Sequence, residues 1–178
     1  MSSNIINFIK ELYAICRREA GPQKLPSSTI LLVVSLIFYI LGRFWVEKFD
    51  YSIVAATFLA VFDATLLILM AAIPLALLKS SNRIPQTLIA LASAGFVVSM
   101  VEVFILFLLS NIPFPEDHRK STVIAFLVFP MLLWRVLINI TVLRRALSWN
   151  TMHASILADS QALIVIFLGG NIASGLEG

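Results

Sequence analysis

The sequence is poor in the residues that metal binding and nucleophilic catalysis need. Its 178 residues include one cysteine, Cys16, and two histidines, His118 and His153. A single thiol forms no intramolecular disulfide and no Cys-based metal site. Its place on the apolar face of a predicted helix gives it the role of a small buried hydrophobe, with palmitoylation as the alternative. The histidines fall on opposite predicted sides of a membrane, which argues against a two-histidine metal site or a His dyad. The serines inside predicted helices have no histidine near them, so a serine nucleophile lacks a base. Gly169-Gly170 is too short for a phosphate loop. No cofactor, metal or enzymatic reaction is expected.

Charge is scarce as well. Asp, Glu, Lys and Arg make up 13% of the chain, against about 25% in a soluble domain, too few to cover a soluble globule of this size. The net charge is +3, but no basic stripe with interleaved aromatics accompanies it, so nucleic acid is not an expected partner. The basic residues collect instead in short loops, as they do in membrane proteins.

What the chain has in excess is apolar surface. Hydrophobic residues make up 60% and the mean hydropathy is +0.96. The excess lies in long runs, the signature of membrane-spanning helices. The expected fold is all-α, a polytopic integral membrane protein with a bundle of five transmembrane helices preceded by an amphipathic interfacial helix. Charges at Lys10, Glu11, Arg17, Arg18 and Glu19 distinguish the N-terminal stretch from a secretory signal, and no separate soluble domain is expected.

Residues 1–22 read as a cytoplasmic amphipathic helix and its linker. Over Asn4 to Ala20, the residues Ile5, Phe8, Ile9, Leu12, Ile15 and Cys16 recur at helical spacing, and Gly21-Pro22 is the expected stop. The apolar stripe can lie in the headgroup layer, with Arg17, Arg18 and Lys24 facing anionic lipid, or it can dock on a partner. The bundle occupies residues 27–173, with Ser27 or Ser28 as first cap. Its spans are expected at about 29–46, 52–78, 84–110, 121–143 and 151–173. Gly42, Arg43 and Trp45 mark the far interface of the first, and Trp149 suits an interface near the last. Pro113-Phe114-Pro115 turns the longest loop. Pro74 and Pro130 are expected to kink their helices. Ala92, Gly95 and Ser99 line one face of the third span, a pattern that permits close packing within or between chains, and Glu102 continues that face. The last span is interrupted by Asp159-Ser160-Gln161, so an interfacial or re-entrant segment is its alternative.

Orientation follows from Lys and Arg. With the N-terminus inside, the inner side holds Lys10, Arg17, Arg18, Lys24, Lys79, Arg83, Arg144 and Arg145, and the outer side Arg43, Lys48, Arg119 and Lys120. Eight against four places the N-terminus in the cytoplasm and the C-terminus in the periplasm.

Asp63, Glu102, Arg135 and Asp159 fall inside predicted spans, where each charge costs about 2.5–3.5 kcal/mol on insertion scales. At 1.5 Å per residue, Asp63 and Glu102 lie roughly 14–15 Å from the outer surface, and Arg135 and Asp159 roughly 20–21 Å. Arg135 is therefore expected to pair with Asp159, supported by Asn139 one turn away. Asp63 and Glu102 would meet as like charges, with at least one protonated. The group is either a polar clamp that locks the bundle or a proton or cation path.

Two stretches carry a resemblance. One is Arg17-Arg18-Glu19-Ala20-Gly21-Pro22-Gln23-Lys24-Leu25-Pro26, at the entry to the first span. The other runs from Trp134 through Val142-Leu143-Arg144-Arg145-Ala146-Leu147 into the last. In these the chain resembles bacterial members of the Yip1-like superfamily, and proteobacterial inner-membrane proteins with a Gly-Pro-Gln-x-Leu-Pro stretch. The resemblance implies a five-span fold with a cytoplasmic N-terminus and implies no reaction. Eukaryotic relatives act in trafficking with small GTPases, but the long N-terminal region common there is absent. The expected function is a non-enzymatic inner-membrane scaffold, anchor or regulatory subunit, with a membrane-protein partner or a homo-oligomer. The alternative is a proton- or cation-coupled transport component using Asp63, Glu102, Arg135 and Asp159.

Overall fold

The computed structural model describes residues 2–112, 117–148 and 150–176, and not the side chains of 2–5, 117–125 and 174. The Pro113–Pro115 turn and Trp149 thus lie outside the described residues, as do the side chains of His118, Arg119 and Lys120. The described residues form helices and turns, with no strand: α1 (Ser2–Cys16), α2 (Thr29–Glu47), α3 (Ile53–Leu77), α4 (Ile84–Ser110), α5 (Asp117–Leu147), α6 (Thr151–Ile164) and α7 (Gly170–Gly175). A π-helical turn, Val165–Gly169, joins α6 to α7 without a break.

Five helical segments among the described residues are long and apolar enough to cross a membrane: Thr29–Glu47, Ile53–Leu77, Ser81–Ser110, Phe126–Leu147 and Thr151–Ala173. Their outward faces carry Ile30, Leu77 and Phe126, each more than three-quarters exposed. Water would not tolerate such a surface, whereas lipid is its natural solvent. The chain is a multi-pass helical membrane bundle.

Local chemistry sets the ends. Ser28 and Ser52 cap α2 and α3, their hydroxyls accepting from the backbone N–H of Leu31 and Ala55, both at 3.4 Å. At the end of α3, Lys79 takes a left-handed conformation (φ 55°). The Lys79 and Ser80 amides then donate back to the carbonyls of Ala76 and Leu75, a Schellman closure. The same device ends α1: Arg18 has φ 64°, and the Arg18 and Glu19 amides donate to the carbonyls of Ile15 and Ala14. The helix therefore stops at Cys16 and not at Ala20, before Gly21-Pro22 can act. Pro74 and Pro130 both lie inside helices.

The expected interruption at Asp159-Ser160-Gln161 is absent. The Ser160 hydroxyl donates to the Leu157 carbonyl at 2.8 Å and Gln161 turns into the bundle, so α6 continues through both. The irregularity falls one turn later, in the π-helical stretch, where Gly169 lies against α3. A Cβ at Gly169 would come within 3.0 Å of Leu59.

α4 is the central helix. It packs against α1, α2, α3 and α5, while α6 closes the bundle against α3 and α5. Its residues from Thr87 to Gly95 are all buried. The Ala92–Gly95–Ser99 face is used within the chain, against α2. A Cβ at Gly95 would lie 2.5 Å from the Tyr39 ring, and one at Gly42 would lie 3.1 Å from Phe96 and Ser99. The Ser93 hydroxyl donates to that of Ser35 at 3.0 Å across the same contact. Small residues bring the backbones close enough for dispersion and short hydrogen bonds, the forces that join helices in lipid.

α1 docks on this bundle. Ile15 and Cys16 are buried, and Phe8 and Leu12 pack against the core, whereas Ile6 and Ile9 stay exposed. The bundle, not lipid, covers the Leu12–Cys16 part of the stripe, and burial pushes the Cys16 thiol pKa up. Polar contacts hold the segment that follows. Trp134 Nε1 donates to the Cys16 carbonyl at 3.1 Å, an Arg145 guanidinium nitrogen to the Arg18 carbonyl at 3.0 Å, and Gln86 Nε2 to the Leu25 carbonyl at 3.0 Å.

The glycine contacts predict a graded series. Gly95→Ala should destabilise the purified protein by about 1–3 kcal/mol through overpacking, and Gly42→Ala by less. Gly175→Ala, with nothing within 4 Å of its added Cβ, should leave the melting temperature unchanged. Thermal unfolding in detergent checks the order.

Candidate functional site

Asp63 is 1% exposed, in the middle of α3. A carboxylate there needs donors, and the bundle supplies them from three other helices. From α2, the Tyr39 hydroxyl donates to Oδ2 at 2.9 Å. From α5, the Arg135 guanidinium donates to the same Oδ2 and to the Tyr39 oxygen. From α6, Gln161 Nε2 donates to Oδ1 at 3.2 Å. Arg43, also on α2, brings Nε to 3.0 Å from Oδ2, an ion pair whose N–H is not aligned as a hydrogen bond. Both carboxylate oxygens are engaged, which makes a buried charge tolerable.

Arg43 extends the network. One terminal nitrogen donates to Glu102 Oε2 on α4 at 3.4 Å, and the other to Glu47, one turn on along α2. All five spanning helices thus contribute a side chain: Tyr39, Arg43 and Glu47 from α2, Asp63 from α3, Glu102 from α4, Arg135 from α5 and Gln161 from α6. Tyr39 and Arg43 share a face because they lie one turn apart, and Ser35 and Gly42 are buried on that face with them.

This geometry corrects four expectations. Arg135 pairs with Asp63 and not with Asp159; Asp159 lies on an exposed face of α6 and has no partner among the described residues. Helical spacing explains the switch, since Ala158 and Gln161 face inward and Asp159 turns away from them. Asp63 and Glu102 do not meet as a like-charge pair, because Arg43 stands between them. Arg43 therefore does not mark an interface: it is 8% exposed and serves three carboxylates. Asn139, expected to support Arg135, is buried without a hydrogen bond to it.

Of the expected residues, the structure brings together Asp63, Glu102 and Arg135, sets Asn139 at their edge and leaves Asp159 out. The sequence reading missed Tyr39, Arg43, Glu47 and Gln161. A usable signal existed: Ser35, Tyr39, Gly42 and Arg43 form a small-and-polar stripe on α2 that matches the one on α4. Arg17, Arg18 and Lys24 stand apart at the surface. Arg17 pairs with Glu19 at 2.9 Å and Lys24 with Glu11 at 3.7 Å; exposed pairs of this kind contribute little.

A cavity of about 220 Å³ adjoins the network. It runs from the exposed Asp50, at the turn after α2, past Glu47 and Arg43 to Asp63, Glu102 and Asn139. Leu132 and Val136 of α5 and Ala162 and Val165 of the last span supply an apolar wall. Among the described residues no group of three His, Cys, Asp or Glu side chains is arranged to hold a metal.

The pairing predicts a specific rescue. Arg135→Leu should cost about 3–5 kcal/mol by stranding the Asp63 carboxylate. Adding Asp63→Asn should recover much of that loss, and adding Asp159→Asn should recover none. Melting temperatures of the two double variants in detergent distinguish the pairs. No protein-family model, curated protein or solved structure matches this chain.

Proposed function

We propose that the chain is a non-catalytic, Yip1-like subunit of the bacterial inner membrane that scaffolds, anchors or regulates a membrane-protein partner. The observation that carries this reading is Asp159. It lies eight residues into the last span, about 12 Å along the helix, on an outward face with Met152, Ile156 and Leu163. A short aspartate side chain cannot reach water from that depth. The described groups at comparable depth in the other spans (Asp63, Glu102 and Arg135) are all paired within the chain. A second protein, or a second copy of this one, that brings a donor to Asp159 removes the cost.

The network contributes rigidity to this role. Four helices tied at one carboxylate, with the fifth joined through Arg43, cannot slide past one another without stranding a charge, so the bundle offers a fixed outer surface. The orientation bias supports a cytoplasmic N-terminus more strongly than the sequence count did. With Arg43 buried, the outer tally falls to Lys48, Arg119 and Lys120, eight against three. In that orientation α1 sits on the cytoplasmic side of the bundle, where the exposed Arg17, Arg18 and Lys24 face anionic headgroups.

A photoreactive benzoylphenylalanine at position 159 should give a discrete protein adduct in native membranes. The same group at position 37, where Ile37 is 51% exposed on α2, should give lipid adducts only. Identical lipid-only adducts at both positions would remove the support for a partner at this face.

A second reading, a proton- or cation-coupled transport component, is favoured by the cavity from Asp50 to Asp63. That path would use Asp63, Glu102 and Arg135 but not Asp159, which does not line it. Under this reading, Asp63→Asn with Glu102→Gln abolishes flux in proteoliposomes while the protein stays folded. Wild-type protein that carries no proton or cation flux ends it.

A further inference from the structure

A groove of about 450 Å³ lies outside the Asp63 network, where the end of α1 meets α5. Its walls divide by chemistry. Arg17, Arg18 and Glu19 form one side, and Pro130, Leu133 and Leu137 of α5 form the other. Leu133 and Leu137 are 45% and 41% exposed, on a lipid-facing surface. Two contacts fix how the basic end sits on α5. Trp134 Nε1 donates to the Cys16 carbonyl at 3.1 Å, and an Arg145 guanidinium nitrogen donates to the Arg18 carbonyl at 3.0 Å. Arg17 and Arg18 therefore leave the backbone between the levels of Trp134 and Arg145, about 16 Å apart along α5. A guanidinium that starts within the leaflet is costly unless it reaches back to the headgroups and meets an anion there. The chain supplies only part of that anion. Arg17 pairs with Glu19 at 2.9 Å, while Arg18 and Arg145 have no acidic partner among the described residues. Three guanidiniums against one carboxylate leave an excess of positive charge at one rim of an apolar groove.

We propose that this groove binds one anionic phospholipid. Its phosphate meets the guanidiniums of Arg17 and Arg18, whose paired N–H donors match phosphate oxygens. One acyl chain lies along Leu137 and Leu133 toward Pro130. Charge and direction agree: the basic rim lies toward the end of α5 at Leu147, and the leucines lie toward the bilayer centre, the order of headgroup and tail in a leaflet. A zwitterionic lipid would bring its own cation to the same rim and lose the advantage. Basic pockets beside spanning helices on the cytoplasmic side suit anionic headgroups for this reason. The site rests on the contact of Arg17 and Arg18 with headgroups proposed above and narrows it to one bound molecule. It does not depend on a partner at Asp159, which the crosslink at that position tests separately.

Trp134 lines the groove and reports on its contents. In a full-length Trp45→Phe, Trp149→Phe protein it is the one tryptophan left. That protein is reconstituted into phosphatidylcholine vesicles containing increasing fractions of phosphatidylglycerol brominated in its acyl chains, or of phosphatidylcholine brominated in the same way. Bromine quenches tryptophan fluorescence on contact. The site predicts half-maximal quenching by the phosphatidylglycerol at a mole fraction about fivefold lower, or less, than by the phosphatidylcholine. Arg18→Gln should remove that preference. Lys48→Gln, the same loss of charge at the far end of α2, should leave it unchanged. Both leaflets carry the lipid, so the outcome does not depend on orientation. Equal quenching by the two lipids would make the groove an ordinary part of the lipid annulus, and no quenching by either would mean that something else covers it. Each result overturns the proposal, as does an equal loss of preference in the two charge variants. The comparison of lipids on the single-tryptophan protein decides the question even if Arg18→Gln fails to fold.

Discussion

A single carboxylate in the middle of a membrane helix has to be neutralised, and the bundle is arranged around that need. Asp63 draws Tyr39, Arg43, Arg135 and Gln161 to itself from three helices, and Arg43 then brings in Glu102 from the fourth. In lipid there is no hydrophobic force between helices, so such contacts and close backbone approach must do the joining. The glycines allow the approach. Gly95 lets the Tyr39 ring lie on α4, and that position lets the hydroxyl reach Asp63. Packing and electrostatics are one arrangement here, since a side chain at Gly95 would displace a ligand of the carboxylate.

The cost of burying these charges is asymmetric. A complete network is close to neutral for stability, but losing any one partner strands a charge in a medium that cannot solvate it. That makes the network a device for specifying one helix arrangement more than a source of stability. A cavity of about 220 Å³ runs beside it, lined by Glu47, Glu102 and Asn139 among others. Asp159 is the complementary case: a group excluded from the network and turned outward, where only something outside the described chain can satisfy it.

Much of this was legible in the residues. The five apolar runs, the serine cap of the first span, the small-residue face of α4 and the presence of buried charge all follow from local pattern. The pairing did not. Axial depth matched Arg135 with Asp159, but depth says nothing about which way a side chain points around its helix. Two residues along α6, from Asp159 to Gln161, a rotation of about 200° separates the outward face from the inward one. Arg43 was misread for a related reason. Near a helix end an arginine normally snorkels to the interface, and only the position of α3 and α4 beside it turns it inward.

The sequence by itself determined what kind of solvent the chain requires, the number and approximate extent of its spanning helices, and that charges would have to be reconciled inside them. These depend on composition and on short-range periodicity, which each segment carries alone. The tertiary structure decided which charges meet, that α1 rests on the bundle, and that the polar stretch of the last span is continuous helix. Those outcomes depend on the rotation of each helix about its own axis. That rotation is fixed only when all five faces pack together and every donor in the low-dielectric interior must find its acceptor.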